Sequence, residues 1–421
     1  MLLAIELTAI LSSLAVFLIV ILLLVIILIV AKKYLVQSGE VKITINNDKV
    51  IATEAGSTLL NTLAVNNVFL PSACGGGATC AECRCQVESG GGEILPTESV
   101  HFSRKEIKDN WRLGCQVKVK NDLAIKIDPS ILDIKKWECE VVSNKNVATF
   151  IKEFVVKLPE GEHLNFVSGS YIQIDIPKYS LKYSEFDVDE RFRPAWDKWK
   201  MWDIPASNEE ETMRAYSMAN HPAEGDIVML NVRIATPPFD KATNDWAKVP
   251  AGIASSYIFN LKPGDKVFVS GPFGEFHPIL DTKNEMIYIG GGAGMAPLRS
   301  HLLHLLETLK INDRKIMYFY GARALNEVFY MEDFLKLEKQ FPNFSFHLAL
   351  DRPDPVADEA GVKYSAGFVH QVLHDTYLSK HDSPEDIEYY MCGPGPMAKA
   401  VEDMLWSLGV PKENLLFDDF G

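Results

Sequence analysis

The sequence predicts a multidomain chain: one N-terminal transmembrane helix, a small α+β domain, an antiparallel β-barrel, and an α/β domain built on a doubly wound parallel sheet. Three observations carry this. From Leu7 to Ala31 only Thr8, Ser12 and Ser13 interrupt an apolar run. Seven cysteines are too few and too unevenly placed for a disulfide framework, and the five that fall between Cys74 and Cys115 suggest a metal site in a reducing compartment. Beyond Ser130, β-rich runs divided by Pro and Gly turns give way near Asn284 to strands alternating with helices. The predicted boundaries are 1–36 for the anchor, 37–129, 130–281 and 282–421, with an insert at 178–213.

At about 1.5 Å per residue the apolar run spans roughly 37 Å as a helix, enough for a hydrocarbon core of about 30 Å. A cleavable signal peptide fits badly, because no basic segment precedes the run and the run is too long. Lys32 and Lys33 follow it directly, which places the rest of the chain on the cytoplasmic side. The run holds no ionisable side chain, so it reads as an anchor and not as an ion path. Hydrophobic residues make up 47% of the chain and charged residues 23%, as in an ordinary globular protein with large cores. A formal net charge of −14 excludes a nucleic-acid binder, which needs a basic face.

In the small domain, Val41–Ile45 and Val50–Ala52 alternate as strands around Asn46-Asn47-Asp48, and Ser57 or Thr58 is placed to cap a short helix through Ala64. Strands return near Lys118 to Ile127. The barrel strands are expected at Trp137–Val142, Phe150–Lys157, Tyr171–Ile176, Ile227–Ile234 and Lys266–Ser270. The insert carries Trp196, Trp199 and Trp202 among many charges; it reads as a cover packed by its aromatics or, more sharply, as a docking surface. In the last domain the series runs Met286–Ile289, a helix from Ala296 to Lys310, Lys315–Tyr320, Phe344–Leu350, a helix Phe368–Leu378, Glu388–Met391 and a helix Pro396–Leu408.

Cys74, Cys80 and Cys83 are separated by five and two residues, and Cys115 follows after 31 more. Three close thiolates on one loop and one remote thiolate suit a four-cysteine binuclear iron–sulfur cluster. Gly75, Gly76 and Gly77 let the backbone wrap tightly enough for amide N–H groups to face cluster sulfurs. A zinc site usually shows two C-x2-C pairs, and only one occurs here. Cys85 and Cys139 read as buried residues and not ligands. The run CGGGATCAEC with its distant LGC resembles ferredoxins of the adrenodoxin type and the ferredoxin modules of membrane NADH dehydrogenases, which implies a β-grasp fold and a 2Fe–2S cluster.

Arg214-Ala215-Tyr216-Ser217 offers a phosphate partner, a flat aromatic ring and a hydroxyl in sequence. Arg233 follows on the next predicted strand, and Gly252-Ile253-Ala254-Ser255 looks like a helix N-terminus able to face a pyrophosphate. Together with the SGPFGEF run at Ser270–Phe276, these resemble the flavin domain of the ferredoxin–NADP reductase superfamily. Gly290, Gly291, Gly292, Ala293, Gly294, Met295 and Ala296, between a strand and a helix, match that superfamily's nicotinamide loop. Cys392, Gly393 and Pro394 match its second signature, in which the cysteine lies near the nicotinamide; a small buried core residue is the lesser alternative for Cys392. The resemblance implies that Arg214, Arg233, Gly252 and Ser255 hold FAD, that Tyr216 and Phe420 sandwich its ring with Ser217 near the reactive nitrogen, and that the last two loops seat NADH beside Cys392. Ser217, Cys392 and Phe420 are the candidate catalytic residues.

Taken in order, the modules resemble the family of F subunits of the bacterial sodium-pumping NADH:quinone oxidoreductases. The resemblance implies that a hydride pair from NADH reaches FAD and leaves as single electrons through the 2Fe–2S cluster, because such a cluster accepts one electron at a time. It further implies an inner-membrane location, partner subunits that reduce quinone (ubiquinone among them) and move sodium, and attachment through one helix. Two other readings use the same modules: the reductase of a multicomponent oxygenase, which is normally soluble, and a tethered carrier or docking module with a dead nucleotide site, which the intact signatures oppose. Arg323, placed to meet a 2′-phosphate, keeps NADPH open beside NADH.

Overall fold

The computed structural model describes residues 14–27 and 39–418. Residues 14–27 are helical, with their apolar side chains exposed. Among the described residues no helix is long and apolar enough to cross a membrane. The predicted run Leu7–Ala31 extends past them at both ends, and Phe420 also lies outside the described residues. The remaining chain divides into two compact units, one of residues 39–70 with Gly76–Asp133, the other of Ile134 onward together with Pro71–Gly75.

The first unit holds β1 (Glu40–Ile45), β2 (Lys49–Glu54), β3 (Arg84–Ser89), β4 (Trp111–Leu113) and β5 (Leu123–Lys126). They form one sheet in the order β2-β1-β5-β3-β4, with β1 and β5 parallel. This is the β-grasp arrangement. Asn46 and Asn47 turn the first hairpin at φ 53° and 60°, the left-handed region that asparagine tolerates. Thr58 caps the helix Leu59–Val65, its Oγ accepting the Asn61 N–H at 3.2 Å. That helix buries Leu59, Leu60 and Leu63 against Ile43, Ile45 and Ile125. Glu98 is wholly buried and accepts two bonds from the Arg112 guanidinium, at 2.8 and 2.7 Å.

The second unit opens with the barrel. Its strands are β6 (Lys135–Ala148), β7 (Ile151–Lys157), β8 (Tyr171–Ile176), β9 (Tyr179–Lys182), β10 (Pro205–Asn208), β11 (Thr212–Ser217), β12 (Ile227–Arg233), β13 (Phe239–Asp240), β14 (Asp245–Trp246) and β15 (Lys266–Phe273). Six of them pair antiparallel in the order β11-β8-β15-β6-β7-β12, and an isolated bridge between Met218 and Leu230 joins the two ends. Strand β6 runs on to Ala148, well past Val142, because register shifts at Val141/Ser143 and Asn146/Ala148 bend it without ending its pairing. The insert is a β9–β10 hairpin enclosing the helix Arg193–Lys198. Its Trp196 is fully buried in the barrel core and donates from Nε1 to Thr149 O at 2.8 Å. Trp199 stays more exposed, edge-on to Phe239, which packs in turn on Trp246.

The same unit continues into a parallel sheet: β16 (Met286–Gly291), β17 (Ile316–Ala322), β18 (Phe344–Leu350), β19 (Ser365–Ala366), β20 (Glu388–Cys392) and β21 (Leu415–Phe417), ordered β19-β18-β17-β16-β20-β21. Helices Met295–Leu303, Met331–Gln340, Val369–Thr376 and Gly395–Ser407 connect them. The first helix is α-helical only to Leu303 and continues as a π-turn, His304–Thr308. Met331–Gln340 is a helix that the sequence pattern left unassigned. The chain winds outward from β16 to β19 and then returns to β20 on the other side. The topological switch point therefore lies between β16 and β20, where ligands bind in sheets of this kind.

Candidate functional site

The cysteines divide by environment. Cys83 and Cys115 are buried and Cys80 is half-buried. The Cys83 thiol is pushed well up, first by its hydrogen bond with Cys115 and then by burial. The Gly114 N–H donates to Cys83 O at 2.7 Å, and Gln116 Nε2 points to Cys115 Sγ at 3.6 Å. Cys74 is half-buried in a turn closed by the Gly75 N–H on Ser72 O. Among the described residues no three His, Cys, Asp or Glu side chains have the spacing of a single bound ion. Four soft sulfur donors, two buried and two half-buried, are of the chemistry that fits an iron–sulfur group. Cys85, in β3, and Cys139, in β6, are wholly buried, and burial pushes each thiol up to about 12.

The second unit gathers the barrel candidates along its strand ends. Arg214 lies on β11, where its Nη1 donates to Thr212 Oγ1 and Met213 O at 2.9 and 2.7 Å. Tyr216, two residues on, packs against the barrel core, and burial pushes its phenol up. Ser217 ends the strand and donates from Oγ to Asp418 Oδ2 at 2.6 Å. The Asp418 N–H donates to Met391 O, next to Cys392, so the chain's last described residue ties β11 to β20. Gly252 stands at the N-terminus of the helix Ile253–Asn260, and a Cβ there would lie 2.5 Å from Ala235 Cβ. Ser255 turns its hydroxyl inward, accepting from the Ala235 N–H at 3.0 Å and donating to Gly252 O. It fastens the helix end to the segment after β12.

The glycine loop leaves the end of β16, with Gly292 at φ 57°. Gly290 is the in-register partner of Cys392 across β16 and β20. The loops after these strands interlock: a Cβ on Gly291 would stand 2.8 Å from Met397 Sδ and 3.4 Å from Pro394 Cδ, and one on Gly294 would meet the Cys392 carbonyl. A Cβ on Gly393 would meet the Met397 side chain. Met295 and Ala296, both buried, start the helix. Arg233, exposed at the end of β12, comes within 3.9 Å of the space beside Gly292. The barrel thus presents a cation to the backbone cradle at the switch point, an arrangement that fits a nucleotide diphosphate.

Residues 43–120 match the 2Fe-2S iron-sulfur cluster binding domain family, 198–277 the oxidoreductase FAD-binding domain family, and 288–403 the oxidoreductase NAD-binding domain family. The F subunit of the Na(+)-translocating NADH-quinone reductase of Pseudomonas aeruginosa is 51% identical over 391 residues, 93% of each chain. Its counterpart in Methylococcus capsulatus is 52% identical, covering 93% of this chain and 94% of its own. The chain belongs to the family of F subunits of Na(+)-translocating NADH-quinone reductases. Its cofactors are FAD, a 2Fe–2S cluster and NADH. In fold, this member of the NADH-quinone reductase family is similar to an Amycolatopsis cytochrome P450 reductase (TM-score 0.61, 22% identity, covering 90% of this chain and 98% of that one) and to the ferredoxin reductase of a carbazole 1,9a-dioxygenase (TM-score 0.58, 22% identity, 91% and 99%).

Sequence reasoning assigned no role to several residues of this NADH-quinone reductase chain that the structure sets beside the site. Asp418 lies outside every motif, and only the fold brings it to Ser217. Arg299, 7% exposed, donates to Glu224 at 2.9 Å through both Nη atoms and to Ala219 O at 2.8 Å, joining the glycine-loop helix to the barrel. Its place inside an apolar helix was its one signal, since a cation there needs a partner.

Proposed function

We propose that this chain is the electron-input subunit of a membrane NADH:quinone reductase. It takes a hydride from NADH and delivers single electrons to partner subunits that reduce quinone and move sodium. The observation that carries this reading is the in-register pair Gly290 and Cys392 at the switch point, with Arg233 of the barrel facing the glycine loop. FAD, when bound, supplies the conversion from a two-electron donor to a one-electron acceptor, and the 2Fe–2S cluster supplies the one-electron exit.

The chain's own residues then have distinct tasks. Gly290 to Ala296 and Cys392 to Pro394 present backbone to the dinucleotide, while Arg214 and Arg233 neutralise phosphate charge. Tyr216 offers a ring face. Ser217 offers a hydroxyl whose direction Asp418 fixes. Cys74, Cys80, Cys83 and Cys115 are assigned as cluster ligands, and Gly252 and Ser255 as the support of the FAD helix. Phe420 is assigned to cover the flavin. The domain limits proposed are 1–36, 37–129, 130–281 and 282–421. The apolar run around residues 14–27 is assigned as a single-pass anchor in the inner membrane, with the soluble domains on the cytoplasmic side. That Trp196 lies inside the barrel core favours the insert as a cover.

Steady-state assays of the full chain in detergent test this reading. NADH should support rapid reduction of ferricyanide and NADPH should not, and reduction of quinone should require the partner subunits. Equal rates with NADPH, or quinone reduction by the chain alone, would contradict it.

A further inference from the structure

Tyr330 holds an unusual position. It precedes the helix Met331–Gln340 at φ 58° and ψ 14°, a left-handed conformation that a bulky side chain rarely adopts. Such a conformation persists only where surrounding contacts enforce it, and it clusters at sites where geometry matters. Here the hydrogen bonds to the Tyr330 hydroxyl come from the barrel, across the domain junction. The Tyr330 hydroxyl donates to Glu153 Oε2 at 2.5 Å and accepts from Asn231 Nδ2 at 2.9 Å. Asn231 and Glu153 are direct cross-strand partners on β12 and β7, so their side chains share one face of the barrel and grip the phenol from both sides. Burial, then the Glu153 charge, push the Tyr330 phenol well above its ordinary range, so the hydroxyl keeps its proton and remains a donor. The Arg299 guanidinium lies over the Tyr330 ring, 5.1 Å from its centre, while also holding Glu224 and Ala219 O.

This network meets the reaction machinery on both sides. On the barrel side, Arg233 lies two residues beyond Asn231 on β12, hence on the same face, and approaches Gly292. On the nucleotide side, Arg299 belongs to the helix that opens directly after the glycine loop. We infer that Tyr330 is a positioning residue for hydride transfer, pinning β12 to the glycine-loop helix so that the nicotinamide and flavin seats keep a fixed separation. The inference rests on the function proposed above. Hydride transfer is steep in distance, so a small slip between the two seats lowers the rate without removing any contact to NADH.

The test is anaerobic stopped-flow bleaching of the flavin by NADH in the full chain, comparing wild type with Tyr330→Phe. The substitution keeps the ring under Arg299 and deletes only the hydroxyl. The expected result is a limiting rate at saturating NADH lower by about tenfold, with the apparent Kd for NADH unchanged. A limiting rate equal to wild type would overturn the inference, even if the melting temperature fell, and so would a change confined to Kd. If Tyr330→Phe does not retain FAD, Asn231→Leu is measured by the same criteria, since it removes only the donor to that hydroxyl. A wild-type chain that NADH fails to bleach would overturn the functional reading as well, which separates the two failures.

Discussion

Gly290 and Cys392 face each other in register at the carboxyl ends of β16 and β20, and the loops that follow them leave no room for side chains between. Gly294→Ala places a Cβ 2.6 Å from Gly393 N and against the Cys392 carbonyl, which is backbone and cannot swing aside. Overpacking of this kind costs about 1–3 kcal/mol, and here it would separate the two loops proposed to seat the dinucleotide. The expected outcome is a KM for NADH raised by about tenfold or more with FAD and iron content unchanged. Steady-state kinetics with cofactor analysis checks it.

The cysteines make opposite predictions according to where they sit. Cys115→Ser removes the sulfur that is hydrogen-bonded with Cys83, and Cys139→Ser changes a wholly buried residue near the start of β6. Cys115→Ser should abolish the EPR signal of the reduced cluster while NADH still bleaches the flavin. Cys139→Ser should keep both. EPR and visible absorbance of the two variants decide the matter.

How much of this was legible in advance depends on the reach of the contacts. The cysteine spacing, the Asn46-Asn47 turn, the Thr58 cap and the glycine loop are local patterns, each complete within a few residues, and the sequence displays them. The Ser217–Asp418 bond joins residues 201 apart and Tyr330–Glu153 residues 177 apart. No periodicity encodes such pairs; only the folded barrel and sheet bring them together. Ser255 shows the same limit. Its motif announces a helix N-terminus, but that its hydroxyl closes on Ala235 depends on how β12 ends.

Within the insert, Trp196 and Trp199 differ by three positions and by nearly everything else. Trp196 is fully buried among Tyr183, Phe186 and Phe259, whereas Trp199 is 38% exposed. Trp196→Ala should destabilise the chain by about 3–5 kcal/mol through the cavity it leaves. Trp199→Ala should cost under about 1 kcal/mol. Denaturant unfolding followed by flavin release measures both.

His301 governs part of the acid response. It is wholly buried, its Nε2 lies 2.9 Å from Phe276 O, and burial holds its pKa down to about 3 from an ordinary 6.5. The folded state therefore keeps the ring neutral where the unfolded chain would protonate it. Stability from this group is complete above about pH 6.5 and declines as pH falls toward 3, by about 2 kcal/mol at pH 5. His301→Gln should flatten the fall in melting temperature between pH 7 and pH 5, as thermal denaturation at the two values would show.

The most direct test of the account is one anaerobic sample of the full chain in detergent, treated with NADH and followed first by flavin absorbance and then, frozen, by EPR. Bleaching of the flavin together with the signal of a reduced 2Fe–2S cluster is the expected result, because the proposed path takes electrons in at the switch point and out through the cysteine loop. A flavin that NADH cannot bleach, or a bleached flavin beside a cluster that stays oxidised, would contradict it.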